Sequence, residues 1–148
     1  MNIYVAADHN GFELKKEVIS YLKELGYASY DAGDSEYEPS DDFPVFAASA
    51  VIKMLASEDK HAKAVLICGS GQGMLMAANR FKGVRAGLGW SVDAAKSIRN
   101  DEDSNVLALP SAIFKEKQQW QPILDAWLKT PFANAPRFIR RNAELDQL

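Results

Sequence analysis

Cys68 heads the run Cys68-Gly69-Ser70-Gly71-Gln72-Gly73, which sets a nucleophile directly before three closely spaced glycines. Glycines alternating with small or polar residues let the backbone curl until several N–H groups converge on one concavity, and a helix opening directly afterwards adds its positive end. Such a nest takes an oxyanion. The same field favours the thiolate of a cysteine at its mouth, whereas a purely apolar surround opposes it. Two readings of Cys68 follow: a small core hydrophobe at a strand end, or a base beside an anion nest, which also accounts for the glycines. Met74 stands where a dinucleotide fingerprint needs its third glycine, and no Gly-Lys-Ser/Thr follows. NAD- or ATP-type sites are therefore disfavoured and a smaller anion is expected.

His9 is the second candidate. It follows Asp8 and precedes Asn10-Gly11, so its imidazole and the N-terminus of the next helix could meet an anion together. In the alternative, Asp8 caps that helix and His9 simply packs. His61 lies between Lys60 and Lys63 in a polar turn and reads as solvated surface. One cysteine and two histidines without ligand spacing argue against a zinc site. Arg137, Arg140 and Arg141 concentrate positive charge near the end of the chain, either to serve one small anion or as a solvated helix face.

These residues need elements to hold them. Ile3–Ala7 reads as a buried strand. Asn10–Leu25 reads as a helix with Leu14, Val18, Leu22 and Leu25 on its inner face, closing at Gly26. Tyr27–Asp31 is a second short strand. A polar loop then leads to Asp42, a cap for a helix with Pro44 in its first turn that runs to about Ser57. Ala64–Ile67 is a continuous apolar strand entering the glycine turn, and Met74–Phe81 is a short helix. Val84–Leu88 is strand-like, Val92–Asn100 helical and Val106–Leu109 a fifth strand. Trp120, Ile123, Leu124, Trp127 and Leu128 form the inner stripe of a helix expected to start near Gln119, so that Pro122 falls in its first turn. A further short helix is expected from Arg137 onward. Strands alternating with helices imply parallel units joined by right-handed crossovers, with both sheet faces covered. Ligands of such sheets bind beyond the carboxyl ends of the strands, where Asp8–Gly11 and Cys68–Gly73 fall.

The 148 residues suit one domain, and a 47% apolar fraction is ordinary for a globular protein. A net charge of −3 provides no footprint for nucleic acid. No stretch approaches the ~18 apolar residues of a membrane span. The first residues carry no mark of a secretion leader, and a lone cysteine fits a reducing, cytoplasmic setting.

The segments Asp8-His9-Asn10-Gly11-Phe12, Asp42-Phe43-Pro44, Leu66 to Met74 with Ala77-Ala78-Asn79, Gly83-Val84-Arg85-Ala86, Asn105-Val106-Leu107 and Asp125-Ala126-Trp127-Leu128 together resemble the type B ribose-5-phosphate isomerase and galactose-6-phosphate isomerase family along nearly the whole chain. The resemblance implies an α/β three-layer sandwich, doubly wound and Rossmann-like, with a five-stranded parallel sheet. It implies one domain over residues 1–148 with a C-terminal tail, 131–148, contacting a neighbouring subunit. It further implies a homodimer or homotetramer with sites shared between subunits, a small phosphorylated sugar as substrate, and no metal or organic cofactor. The activity it implies is interconversion of aldose and ketose phosphates through an enediolate, with ribose 5-phosphate and ribulose 5-phosphate as the nearest pair. The alternatives are a non-catalytic sugar-phosphate-binding member and a structural subunit of a hetero-oligomer.

Carried over residue by residue, Cys68 would be the base at C2. Ser70 and the amides around Gly69, Gly71 and Gly73 would hold the enediolate oxygen. Asp8 would bind hydroxyls or assist ring opening. His9, Arg137 and Arg141 would bind phosphate, and Asn105 lies in the segment that contacts sugar oxygens from the neighbouring subunit. This chain departs from the pattern in four places. Asp101 and Glu102 stand where the family usually has a ring-opening His and a sugar-binding Asn. Ala112 replaces a phosphate-binding arginine, and Phe138 replaces a histidine. Trp90 could wall a reshaped pocket or bury against a neighbouring subunit.

Overall fold

A computed structural model describes residues 1–114 and 116–148. Five parallel strands, β1 (Asn2–Ala7), β2 (Ala28–Asp31), β3 (Lys63–Cys68), β4 (Ala86–Leu88) and β5 (Val106–Pro110), form one sheet in the order β2-β1-β3-β5-β4. Between and after them run α1 (Phe12–Glu24), α2 (Phe43–Leu55), α3 (Gln72–Ala78), α4 (Val92–Asn100), α5 (Lys117–Lys129) and α6 (Pro136–Leu145).

The two-residue period of the strands divides the core. Ile3, Val5, Val65, Ile67, Leu107 and Leu109 meet Val18, Leu22, Ala95, Trp120 and Trp127 on the side of α1, α4 and α5. On the other side Ala6, Ala64, Leu66 and Cys68 meet Ala47, Val51, Met74 and Ala78 from α2 and α3. The result is the three-layer α/β sandwich expected. No helix among the described residues is long and apolar enough to cross a membrane.

The strand order reverses at β1, because β2 is laid down on one side of it and β3 on the other. In open α/β sheets the crevice beyond the carboxyl ends at such a reversal is the ligand position. Here it lies between the ends of β1 and β3, where Asp8 and Cys68 stand.

Several element details differ from expectation. The first helix begins with a single 3-10 turn, His9–Gly11, and α1 starts at Phe12. Its inner stripe is Phe12, Lys15, Val18 and Leu22; Leu25 is exposed and Leu14 half-buried. Lys15 takes the inner place because its ammonium, only 1% exposed, pairs with Asp31 at 2.9 Å and donates to the carbonyl of Asp34. Gly26, at φ +82°, closes α1 as expected: its N–H and that of Tyr27 are accepted by the carbonyls of Lys23 and Leu22. Asp42 occupies the N-cap of α2, but its side chain accepts no capping hydrogen bond. Pro44 does sit in the first turn. Helix α5 starts at Lys117, two residues before the expected Gln119, because Glu116 and Gln119 form a reciprocal capping box. Pro122 therefore lies past the first turn. Both it and Gln118, whose carbonyl loses its helical donor, are exposed, so water can take that carbonyl.

The 3-10 turn lies hard against β3. A Cβ on Gly11 would fall 2.7 Å from both Cγ2 and the carbonyl oxygen of Ile67. Backbone on one side and core on the other leave no room to yield. Gly11→Ala is expected to cost about 1–3 kcal/mol and to lower the thermal midpoint with an unchanged far-ultraviolet spectrum. An unaltered midpoint would show that the turn lifts off the strand without penalty.

Candidate active site

Asp8 follows β1 directly and holds the next turn. Its Oδ1 accepts the N–H groups of Asn10 at 2.9 Å and Gly11 at 3.2 Å, while its own N–H reaches the carbonyl of Ile67 at 3.3 Å. Burial pushes the Asp8 carboxyl above its ordinary value, against the downward pull of those two amide bonds. Asp8 thus caps the turn as the alternative reading supposed, but His9 does not simply pack.

His9 Nδ1 lies 2.6 Å from Asp41 Oδ1, and the same oxygen accepts the His9 backbone N–H at 3.1 Å. A carboxylate only accepts, so Nδ1 carries the proton. Nε2 faces the Asn10 side-chain amide at 2.9 Å. The hydrogen bond to Asp41 holds the His9 pKa above its ordinary value; burial opposes it, and the Asp41 and Asp8 charges add further upward pull. The Asp41 side chain, 7% exposed, comes from the polar loop that Lys15 pins from below. Asp41 was missed in the sequence because it adjoins Asp42, the obvious cap. Its signal was a second acid with no helix of its own to cap.

Cys68 ends β3 on the α2–α3 face and is 5% exposed, with its carbonyl accepting Ser111 Oγ at 3.2 Å. Behind it, Gly71 adopts φ +75° at the N-cap of α3, and a Cβ there would fall 2.5 Å from Leu88 Cδ1. Gly73 lies against the ring of Phe43, where a Cβ would fall 3.0 Å from Cζ. Gln72, Gly73 and Met74 open α3, so their N–H groups have no partner within the helix. Ser70 Oγ accepts that of Gln72 at 3.3 Å. Asn10 rests on Gly69, and Ser111 Oγ donates to the Asn10 carbonyl at 2.8 Å. The Ala112 N–H ties that segment to the Gly69 carbonyl at 3.0 Å. Asp8, His9, Asn10, Asp41, Cys68 and the glycine turn thus form one cluster at the carboxyl edge.

Asn105, Arg137 and Arg141 do not join it. Cys68 pairs with Pro110, and Asn105 precedes β5, five residues back along the same strand. At ~3.3 Å per residue that is roughly 16 Å, at the opposite edge of the sheet. Asn105 Nδ2 donates to the Gly83 carbonyl at 2.8 Å and Oδ1 accepts Arg85 N–H at 2.9 Å. The neighbouring loop is firmly held. Arg99 Nη1 reaches Asp103 Oδ1 and the Ser104 carbonyl, each at 2.7 Å, and Trp127 Nε1 donates to Ser104 Oγ at 2.7 Å. Lys63 lies in the same neighbourhood; burial, with Arg99 nearby, pushes its pKa down to about 8. Burial raises the Glu102 carboxyl, with help from the Asp101 charge, and Arg141 opposes this.

Helix α6 docks on that loop through Phe138, buried at 7% exposure, and Asn142, whose Nδ2 donates to the Asp101 carbonyl at 3.3 Å. Phe138 therefore serves as the helix's anchor, a role in which a histidine would have to bury a polar ring. Arg137 and Arg141 share the next stripe of α6 and are exposed. Among the described residues neither forms an ion pair. Trp90, beyond β4, is exposed.

Fold and site together define a doubly wound α/β protein with a ligand position at the reversal of its sheet, where a cysteine, a histidine and a glycine turn meet. The family described as Ribose/Galactose Isomerase matches residues 3–145, and the chain belongs to it. It is 33% identical over 141 residues to the ribose-5-phosphate isomerase B of Mycolicibacterium paratuberculosis, covering 95% of this chain and 87% of that one. The crystal structure of the ribose 5-phosphate isomerase of Thermotoga maritima matches with TM-score 0.91 and 36% identity over 99% of this chain and 98% of the other. The ribose-5-phosphate isomerase B of Mycoplasma genitalium, solved with bound ribulose 5-phosphate, matches with TM-score 0.91 and 36% identity over 99% of this chain and 94% of the other.

The His9–Asp41 pair yields a titration test. A folded pKa raised above the unfolded ~6.5 means that the pair's stabilisation is full below that pH and is lost as pH rises through the folded value. Nitrogen-15 NMR of the imidazole should find His9 titrating above ~6.5, and lower in Asp41→Asn. Equal values in the two proteins would remove Asp41 as the cause.

Proposed function

We propose that this chain interconverts an aldose phosphate and a ketose phosphate, with ribose 5-phosphate and ribulose 5-phosphate as the nearest pair, and that it does so as a homodimer or a homotetramer in the cytoplasm. The observation that carries the reading is the family match over residues 3–145 in a chain whose Cys68 and His9 turns meet at the sheet reversal. A shared site is favoured because the cationic half stands at the far edge of the sheet, too distant within one chain to meet a sugar lying at Cys68. Helix α2 supports association. Beyond its buried face it exposes Val45, Ile52 and Leu55 on one stripe, with Met76 of α3 exposed as well. The lone cysteine fits a reducing compartment.

In the reaction, the Cys68 thiolate takes the proton from C2 of the open-chain aldose. The electron pair moves toward C1, whose carbonyl oxygen becomes the enediolate oxygen, held by Ser70 Oγ and the amides around Gly69, Gly71 and Gly73. Return of the proton to C1, with the C2 hydroxyl proton passing to the C1 oxygen as the C2 carbonyl forms, gives the ketose. Atoms and charge balance without a cofactor. Asp8, its carboxyl lifted by burial, exchanges a proton with the ring oxygen or binds hydroxyls. His9 of one chain, with Arg137 and Arg141 of its neighbour, holds the phosphate. Asn105 belongs to the neighbour's half through the loop it fixes.

Two experiments test this. Cys68→Ala should lower kcat at least ~100-fold and stop solvent deuterium exchange at C2, with the fold intact; wild-type-like exchange would remove Cys68 from the role. When Cys68→Ala and the double variant Arg137→Ala/Arg141→Ala are mixed and allowed to exchange subunits, half the dimers carry one intact site of two. About a quarter of wild-type activity should return. No recovery after subunit exchange is verified by mass spectrometry would sink the shared site.

A further inference from the structure

We infer that Arg85 is a positioning residue: one guanidinium, bonded at once to the Glu102–Asp103 backbone and to the Asp146 carboxylate, fixes the rotation of α6 and so where Arg137 and Arg141 stand for the anionic end of the substrate. The inference rests on the proposed sugar-phosphate reading and extends it to a residue outside the binding set.

Arg85 is held at its root. Its N–H is accepted by Asn105 Oδ1 at 2.9 Å, and its carbonyl accepts the Asn105 N–H at 3.1 Å. From that fixed point Nε donates to the Glu102 carbonyl at 2.7 Å, and Nη2 to the Asp103 carbonyl at 3.2 Å. Nη1 meets Asp146 Oδ1 at 2.9 Å and Oδ2 at 2.8 Å. The side chain is only 16% exposed. A lysine, with three donors on one atom, cannot span both targets.

The geometry of α6 gives this clamp its effect. Phe138 and Asn142 lie four residues apart on the stripe that meets the loop, Asp146 at the C-cap continues that stripe to Arg85, and Arg137 and Arg141 form the stripe beside it. Pinning the first stripe therefore sets the azimuth of the second. Asp146 is also an acid at the C-cap of α6, the wrong sign for the helix dipole, an arrangement that its cationic partner offsets. Packing does not do the work at this end. A cleft of about 660 Å³, lined by Gly83, Val84, Arg85, Glu102, Ser104 and Asp146 among others, lies under it.

The test measures KM and kcat on ribose 5-phosphate, and the affinity for inorganic phosphate by calorimetry, in wild type, Asp146→Asn, Asp146→Ala and Arg137→Ala with and without Asp146→Ala. Both Asp146 variants are expected to raise KM and the phosphate Kd together by roughly three- to tenfold with kcat within about twofold, and Asp146→Ala is expected to add less in the Arg137→Ala background than in wild type, because only Arg141 is then left to be displaced. Arg85→Lys should weaken phosphate in the same direction. Unchanged KM and phosphate Kd, or a fall in kcat and thermal midpoint with KM untouched, would make Arg85 merely structural and overturn the inference. A wild-type protein that binds phosphate but turns over no sugar would sink the isomerase reading instead, while the phosphate comparison would still decide the role of Arg85.

Discussion

The arrangement at the carboxyl edge depends on one steric condition: the turn after β1 must lie in contact with the end of β3. Gly11 meets it by presenting no Cβ to Ile67. Because the turn comes that close, the Asp8 N–H can reach the Ile67 carbonyl and Asn10 can rest on Gly69. The two polypeptide segments that carry the chemistry are thereby fixed by backbone contact, before any side chain takes part. Gly71 meets the matching condition on the other flank, where its left-handed conformation turns the chain under Leu88 and into α3.

Charge then organises the parts that backbone contact does not reach. The buried Lys15 ammonium is neutralised by Asp31 and the Asp34 carbonyl, and desolvating a cation is tolerable only with such partners. Its effect is to hold the loop that delivers Asp41 to His9. At the opposite edge, Arg99, Arg85 and Trp127 do the same for the 101–105 loop. Each half of the site thus has its own polar scaffold beneath the residues proposed to touch substrate. The two scaffolds share no residue.

Strand and helix order, the layered core and the glycine turn were all readable from the sequence, because apolar period, glycine punctuation and strand-end position are local signals. What escaped depends on distant partners. Lys15 lies outside the expected inner face of Leu14, Val18, Leu22 and Leu25, and only the carboxylate of Asp31, sixteen positions on, turns it inward. Asp41 was overlooked beside Asp42, because nothing local reveals that it faces His9. The start of α5 moved to Lys117 because a capping box between Glu116 and Gln119 outweighed the expectation set by Pro122. Asn105 was readable as a member of the far loop, but not as a residue whose amide is spent on Gly83 and Arg85.

The sheet order has one more consequence. Its two rims are β2 and β4, four and three residues long, and the C-terminal helix is tied down close to where β4 begins. Strands that short offer a second chain too few free backbone groups to template a continued ladder. Copies of this protein are thereby steered away from edge-to-edge stacking, the route to fibres.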